Sequence, residues 1–213
     1  MKKIAILIYP EFSIKEISDV MYLFRWGFDA KTVILSSSMT PVLSEEGVSV
    51  LPQKTLSDFN KEDYHCLVLP GCSDFREALR DTKLFDFLKD FKDENEFPIG
   101  AICGGPLFLS MAGLLDEKKF TNALYYEMNQ LYQCINMDNL VFSPLVEDGN
   151  IVTAVGNNTR RFAIKLARKA GMECSDDALK EVSESWEPED FKYHLDQEQL
   201  DFFKKNYAEY LIS

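Results

Sequence analysis

The run Pro98-Ile-Gly-Ala-Ile-Cys103-Gly-Gly-Pro-Leu107 decides how the chain is read. A short apolar strand ends at Cys103, two glycines follow, and Pro106 stands where a helix can begin. Proline suits the first helical position because its missing N–H would have had no partner there. A strand that breaks sharply into a helix strains its junction residue, and small neighbours are needed to avoid clashes. Ala101 and Gly105 are those neighbours, so the run resembles a nucleophile elbow with cysteine in place of serine. The following helix N-terminus is expected to stabilise a thiolate and lower the Cys103 pKa from its usual value of about 8.5. The plainer reading is a small buried hydrophobe ahead of a glycine turn.

Outward from this run, strands alternate with helices. Ile4–Tyr9, Thr32–Leu35, Cys66–Leu69, Ile99–Cys103 and Ile151–Val155 are short apolar runs suited to strands buried on both faces of a parallel sheet. Ile17, Val20, Met21 and Phe24 recur on one helical face, as do Leu84, Phe87, Leu88 and Phe91, and then Phe108, Met111, Ala112 and Leu115. This order predicts a doubly wound α/β sandwich with a mostly parallel central sheet. Leu140–Val146 and Ile151–Val155 flank Glu147-Asp148-Gly149-Asn150, whose Asp-Gly pair predicts a β-hairpin. A further small β element is expected at Val48–Leu51.

Composition narrows the function. Of 213 residues 46% are apolar and 27% charged, enough to bury a core. The net charge of −12 disfavours a broad phosphate-binding surface, so no nucleic-acid partner is expected. No apolar run is long enough to span a membrane, and the segment after Lys2-Lys3 stops at Pro10-Glu11, too early for a secretory signal. Cys66, Cys72, Cys103, Cys134 and Cys174 form an odd set without a C-x-x-C pair, and the only histidines are His65 and His194. Neither a disulfide scaffold nor a metal centre is expected, no cofactor is implied, and a reducing cytoplasm is the default.

The charge is uneven: residues 173–213 carry a net −8. The chain therefore reads as an α/β domain over residues 1–172 and an acidic helical C-terminal extension over 173–213, packed on that domain. Ser175 and Asp196 are its expected helix N-caps, the latter forming a capping box with Gln199. Leu200, Phe203, Tyr207, Tyr210 and Leu211 share one face of a final helix.

A second strand ends in Cys66-Leu-Val-Leu-Pro70-Gly71-Cys72. Ligands of open parallel sheets sit beyond the carboxyl ends of the strands, so this turn is expected beside Cys103. Backbone N–H groups of Gly71, Cys72 and Gly104 are candidates for an oxyanion hole, or else belong to an ordinary tight turn. Glu11 and Glu16 follow the first strand and approach the same edge. Asn157-Asn-Thr-Arg160-Arg161 follows the last strand, opens a helix and borders that edge too, with Asn157 as a candidate substrate contact and the arginines either holding an anionic substrate or solvated as ordinary charges of a first helical turn. The Tyr125-Tyr126 pair lines a pocket or packs on the sheet.

Several stretches together resemble the ThiJ/PfpI superfamily, which includes the parkinsonism-associated deglycase, intracellular protease-like proteins and isonitrile hydratases. Ala101-Ile-Cys-Gly-Gly-Pro106 is similar to its cysteine elbow and Leu67-Val-Leu-Pro-Gly71 to its preceding strand and turn. Ala112-Gly-Leu-Leu115, Lys119-Phe-Thr121 and Glu147-Asp-Gly-Asn-Ile-Val-Thr153 resemble later landmarks, and the likeness runs from Lys3 to about Gly171. The resemblance implies a flavodoxin-like, glutamine-amidotransferase-related sandwich, usually a homodimer. It assigns Cys103 as the reactive cysteine, Glu16 as the acid that hydrogen-bonds it, and Gly71, Cys72 and Gly104 as the oxyanion positions.

Three departures from the pattern stand out. Many members carry a histidine just after the segment matching Lys119-Phe-Thr121, where this chain has Asn122 and Ala123, which makes Asn122 a candidate substrate contact instead. The family's Pro-Gly-Gly becomes Pro70-Gly71-Cys72, and Cys72 either packs or resolves an oxidised Cys103. The family core ends near Gly171, so the acidic tail is an addition. The expected function is a cofactor-independent cysteine enzyme (hydrolase, hydratase or glyoxalase/deglycase-like) on a small carbonyl, amide or nitrile-like molecule. The alternative is an oxidative-stress sensor or binding protein in which Cys103 is oxidised without turnover.

Overall fold

A computed structural model of the protein describes residues 3–181, 185–192 and 194–207. The chain divides into two compact units, residues 1–179 and 180–213. The first contains nine strands: β1 (Lys3–Leu7), β2 (Lys31–Ser36), β3 (Val42–Leu43), β4 (Ser49–Val50), β5 (Lys54–Thr55), β6 (Tyr64–Leu69), β7 (Ile99–Ile102), β8 (Leu145–Asp148) and β9 (Ile151–Ala154). Its helices are α1 (Ile14–Phe28), α2 (Thr82–Lys89), α3 (Gly105–Met111), α4 (Tyr126–Leu131) and α5 (Thr159–Lys169).

Seven strands form one sheet in the order β5-β2-β1-β6-β7-β9-β8, parallel except where β8 runs antiparallel to β9. The chain moves from β1 outward to β2 and then returns to place β6 on the other side of β1. That reversal leaves a crevice at the carboxyl ends of β1 and β6, where open α/β sheets bind ligands. The central strands are apolar throughout because both faces are covered: β7 is buried at every position, and Ile4, Ala5, Ile6, Cys66, Leu67 and Val68 are fully inaccessible. Helices α1 and α5 pack together, as do α2 and α3.

The helical faces read from sequence are largely the buried ones: Ile17, Val20 and Phe24 on α1, Leu84 and Leu88 on α2, and Phe108 on α3. Met111 is an exception and lies exposed at the last residue of α3, a helix of only seven residues. The hairpin forms as expected, but its first strand begins at Leu145 and not at Leu140. Pro144 precedes it and has no N–H to offer a ladder. The small β element before Pro52 is real and is the second arm of the β3–β4 hairpin.

That hairpin is bound to the start of α1. Ser13, the N-cap residue, makes no side-chain bond to its own helix. Its hydroxyl instead donates to Glu46 Oε1 (3.0 Å), and the N–H groups of Ile14 and Lys15 donate to the same carboxylate at 3.1 and 3.0 Å. A side chain about thirty residues away thus caps the helix. The cap lowers the Glu46 pKa from 4.5 to about 2; N–H donation from Lys15 and Ile14 outweighs the upward pull of burial.

Residues 173–179 run with the first unit: Arg168 Nε donates to Cys174 O (2.7 Å) and its guanidinium pairs with Asp176 (2.9 Å). Ser175 accepts a bond from Asp177 N–H but caps a turn and not the expected helix, since residues 176–179 form turns only. In the second unit, α6 (Gln197–Asn206) opens with the expected reciprocal capping box between Asp196 and Gln199. Phe203 stacks on Tyr207 one turn later, with ring centroids 4.9 Å apart. Tyr210 and Leu211 lie outside the described residues.

Replacing Glu46 with alanine is expected to lower the stability of the first unit by about 1 kcal/mol, the usual worth of an N-cap. The folded carboxyl is more acidic than the unfolded one, so its contribution is present above pH 4.5 and is lost as pH falls towards 2. Urea unfolding of wild type and Glu46→Ala between those limits checks this, with the two curves converging at the acid end.

Candidate active site

Cys103 follows the last residue of β7 with φ +60°, in the left-handed region that side chains rarely occupy. A non-glycine residue held there costs about 1–3 kcal/mol, and the surroundings over-determine it. Its N–H donates to Ala154 O of β9 (2.8 Å), and its carbonyl accepts from Ala123 N–H (2.9 Å). Small residues then let three segments converge. A Cβ on Gly105 would lie 2.6 Å from Leu69 O and 2.7 Å from Pro70 O, which are backbone atoms that cannot yield. A Cβ on Gly71 would lie 2.9 Å from both Cys103 Cβ and Glu16 Oε2. The expected elbow is present, with Pro106 in the first turn of α3.

Glu16 sits in the first turn of α1 and is only 6% exposed. One carboxyl oxygen accepts the Gly71 N–H at 2.6 Å, and the carboxyl is hydrogen-bonded to the Cys103 thiol. Burial pushes its pKa from 4.5 to about 7, against the opposing pull of the thiol and the Gly71 N–H. Cys103 is pushed up to about 12, first by burial, then by the charge and hydrogen bond of Glu16, with the Gly104 N–H acting the other way. The expected lowering of the thiol pKa is therefore not found. A helix of seven residues offers one favourable N–H, which does not offset burial beside a carboxylate. The two groups titrate as a pair. The first proton leaves near pH 7, and the second is retained because its loss would leave two negative charges in one buried space.

The other expected residues are distributed less simply. Gly71 is adjacent to Cys103, but its N–H is engaged by Glu16, which removes it from the oxyanion set. The next residue, Cys72, is buried and bridges Phe12 in a short ladder made by Ser13 N–H to Gly71 O and Ser73 N–H to Glu11 O. This ladder leaves the Cys72 N–H unused. Asn122 is buried beside the elbow, yet its amide is committed to its own loop: Nδ2 donates to Asn129 Oδ1 (2.7 Å) and Oδ1 accepts from Leu124 N–H (3.1 Å). Asn157 is exposed and accepts a bond from Lys15 Nζ (3.1 Å), one residue from Glu16. Arg160 donates to Leu179 O, while Arg161 lines a separate cavity of about 500 Å³ with Lys165 and Arg168. Tyr125 and Tyr126 are exposed. His65 lies at the amino end of β6, away from the edge that carries Cys103.

Sequence reasoning missed three contributors. Gly156 follows β9, and a Cβ there would lie 2.8 Å from Glu16 Oε1 and 3.1 Å from Cys103 Sγ. Tyr9 is buried and donates its hydroxyl to Pro70 O, which holds the Pro70–Gly71 turn. Phe75 covers Gly104, where a Cβ would meet its ring at 2.5 Å. The only available signal was position: Tyr9 and Gly156 each follow a strand at its carboxyl end.

This geometry defines a class: an open α/β sandwich with an elbow cysteine and a buried carboxyl partner at the sheet's switch point. Within that class the chain belongs to the DJ-1/PfpI family, whose model matches residues 2–169. It is 30% identical to the protein dj-1beta of Drosophila melanogaster over 59% of this chain and 67% of that one. It is 24% identical to an isonitrile hydratase of Pseudomonas putida over 78% of this chain and 71% of that one. Among solved structures, the DJ-1 superfamily protein Atu0886 of Agrobacterium tumefaciens matches with a TM-score of 0.71 and 22% identity, over 97% of this chain and 100% of that one. An oxidized DJ-1 of Toxoplasma gondii matches with a TM-score of 0.65 and 24% identity, over 80% of this chain and 95% of that one. No helix among the described residues is long and apolar enough to cross a membrane.

Gly156→Ala is expected to leave the fold intact and to slow alkylation of Cys103 by iodoacetamide about 100-fold, the cost of displacing a reacting group by an ångström. Unchanged alkylation with an unchanged circular dichroism spectrum would show that the close packing has no chemical consequence. Glu16→Gln is expected to remove an inflection near pH 7 from the rate of Cys103 alkylation. The same carboxyl binds its proton more tightly in the folded state, so the stability it contributes is full below pH 4.5 and is lost as pH rises towards 7. Denaturant titrations of wild type should show that decline, and those of Glu16→Gln should not.

Proposed function

We propose that this protein is a cofactor-independent cysteine enzyme acting on a small carbonyl, amide or nitrile-like electrophile. One observation carries the reading: a strained, half-buried cysteine is hydrogen-bonded to a buried carboxyl whose pKa lies near 7. A carboxyl poised near neutrality is suited to moving a proton in either direction. In the proposed step the Cys103 sulfur bonds to the electrophilic carbon and its proton passes to Glu16. The π pair of the C=O or C≡N group moves onto oxygen or nitrogen, and the N–H groups of Cys72 and Gly104 stabilise that charge. For an amide, Glu16 then gives its proton to the departing nitrogen as the C–N bond breaks, and for a nitrile-like group to the adduct. Water adds to the carbon of the resulting thioester or thioimidate, and the C–S bond breaks as a proton of that water returns through Glu16 to the Cys103 sulfur. A carbonyl adduct instead takes the proton on oxygen as a hemithioacetal.

A second reading is favoured by the absence of a histidine at the Asn122–Ala123 position, where Ala123 N–H reaches the Cys103 carbonyl. Cys103 would be oxidised by peroxide to a sulfenic or sulfinic acid held by Glu16, without turnover. The oxidised state named for the Toxoplasma relative supports considering it. A homodimer in the cytoplasm belongs to both readings. Exposed Tyr22 and Trp26 on α1 support self-association.

Turnover by wild type and Cys103→Ser on a panel of α-oxoaldehydes, glycated amines, amides and isonitriles tests the enzyme reading. The expected outcome is activity on one class, reduced in Cys103→Ser by at least about 1,000-fold, as for loss of a covalent nucleophile. Equal inactivity of both proteins, with selective sulfinate at Cys103 after mild peroxide, would replace the enzyme reading with the sensor.

A further inference from the structure

Beside the active site, three strips of backbone lie next to one another. Phe12 bridges Ser44 of the hairpin loop on one side and Cys72 on the other. The Glu45 N–H donates to Phe12 O at 3.0 Å, so Glu45 continues the outer strip. Cys72 belongs to the inner one, directly after Gly71, whose Cα borders the Cys103 and Glu16 side chains.

The two glutamates of this loop do different things. Glu46 turns towards α1 and is occupied as its cap. Glu45 is exposed, and its carboxylate makes no hydrogen bond or ion pair with any described residue. Its charge is nevertheless felt by Glu16, Cys72 and Cys103 alike, and it raises the pKa of each.

Other charged groups at this edge are better matched. Asp74 is chelated by the Arg76 guanidinium, and Glu11 accepts the Ser73 hydroxyl at 3.0 Å. Lys15 is the cation that Glu16 senses; its effect is smaller than that of Glu45, and its ammonium is bonded to Asn157. The Glu16–Cys103 pair is itself negative once its first proton has left. A neighbouring cavity of about 720 Å³ is lined by Glu11, Asp74, Glu77 and Asp81 with no basic side chain. An approaching molecule therefore meets net negative potential, and Glu45 is the exposed carboxylate whose charge acts on both members of the Glu16–Cys103 pair.

We propose that Glu45 is a specificity-determining residue of this site, which selects small electrophiles bearing an ammonium or guanidinium group over those bearing a carboxylate or phosphate. The inference rests on the reading of Cys103 as a nucleophile and adds the charge class of what reaches it. An exposed, unpaired carboxylate on the backbone strip beside a reactive group attracts a cation as it approaches and repels an anion, at the cost of no buried charge.

The test is alkylation of the full-length protein by 2-bromoethylammonium, iodoacetamide and iodoacetate, with the rate at Cys103 read by peptide mass spectrometry. Each rate is normalised to the same reagent acting on the chain unfolded in urea, which removes the reagents' intrinsic differences. At low salt the normalised preference for the cationic over the anionic reagent is expected to be about fivefold, the scale of one exposed charge acting through a partly solvated gap. It should fall to about twofold or less in Glu45→Gln and invert in Glu45→Lys, and about 1 M salt should abolish it by screening. The same preference in wild type and both variants would overturn the proposal. If Cys103 reacts with none of the reagents while the unfolded chain reacts with all, the nucleophile reading itself fails and takes this inference with it.

Discussion

The hydrogen bond between the Glu16 carboxyl and the Gly71 N–H, 2.6 Å long and buried, is the contact around which the rest is arranged. It joins the first turn of α1 to the turn after β6. The same carboxyl reaches the thiol at the end of β7, so three non-adjacent segments meet at one side chain. A buried carboxyl is costly unless its oxygens are satisfied. Here one oxygen takes the Gly71 amide, and the carboxyl shares a hydrogen bond with the thiol. Glycines at 71, 105 and 156 follow from that requirement, since a Cβ at any of them would enter the space of the carboxyl, the thiol or the backbone behind them.

Two opposing effects set the chemistry of the pair. Burial disfavours charge on either group, whereas the Gly71 and Gly104 amides favour it. Burial prevails for both groups, so the pocket accommodates one negative charge near neutrality and resists a second. In the proposed reaction the thiol is therefore activated by the partner that can take its proton, and not by a helix dipole. This division also explains why the Gly71 amide is unavailable as an oxyanion donor: it already stabilises the carboxylate form of Glu16.

The β3–β4 hairpin connects the site to the surface. Glu46 anchors the hairpin to α1, the helix that carries Glu16, and Glu45 beside it leaves an exposed charge that Glu16 senses. Positioning and electrostatics thus come from adjacent residues of one loop. Two pH effects on stability run in opposite directions and in separate windows: the Glu46 cap acts between about 2 and 4.5, and the Glu16 burial between 4.5 and about 7. The acidity of the whole chain has little to do with either effect, because most of its −12 lies after residue 172.

By itself the sequence determined the local and periodic features. Buried strands announced themselves as apolar runs, α1, α2 and α3 as amphipathic segments and α6 as a capped one; Cys103 was marked by a strand, two glycines and a proline in immediate succession. Those signals are contiguous, and each reflects a conformational requirement of the residues that carry it. Only the tertiary structure decided what depends on distant residues meeting. A glutamate one turn into an amphipathic helix is ordinarily solvated, and nothing local to Glu16 marked it as buried. Gly156, Tyr9 and Glu46 act on partners 53, 61 and about 30 residues away, so no spacing within a short window could reveal them. The thiol pKa followed the same rule. The helix behind Cys103 was legible, but the burial and the carboxylate that outweigh it are properties of the assembled sheet edge.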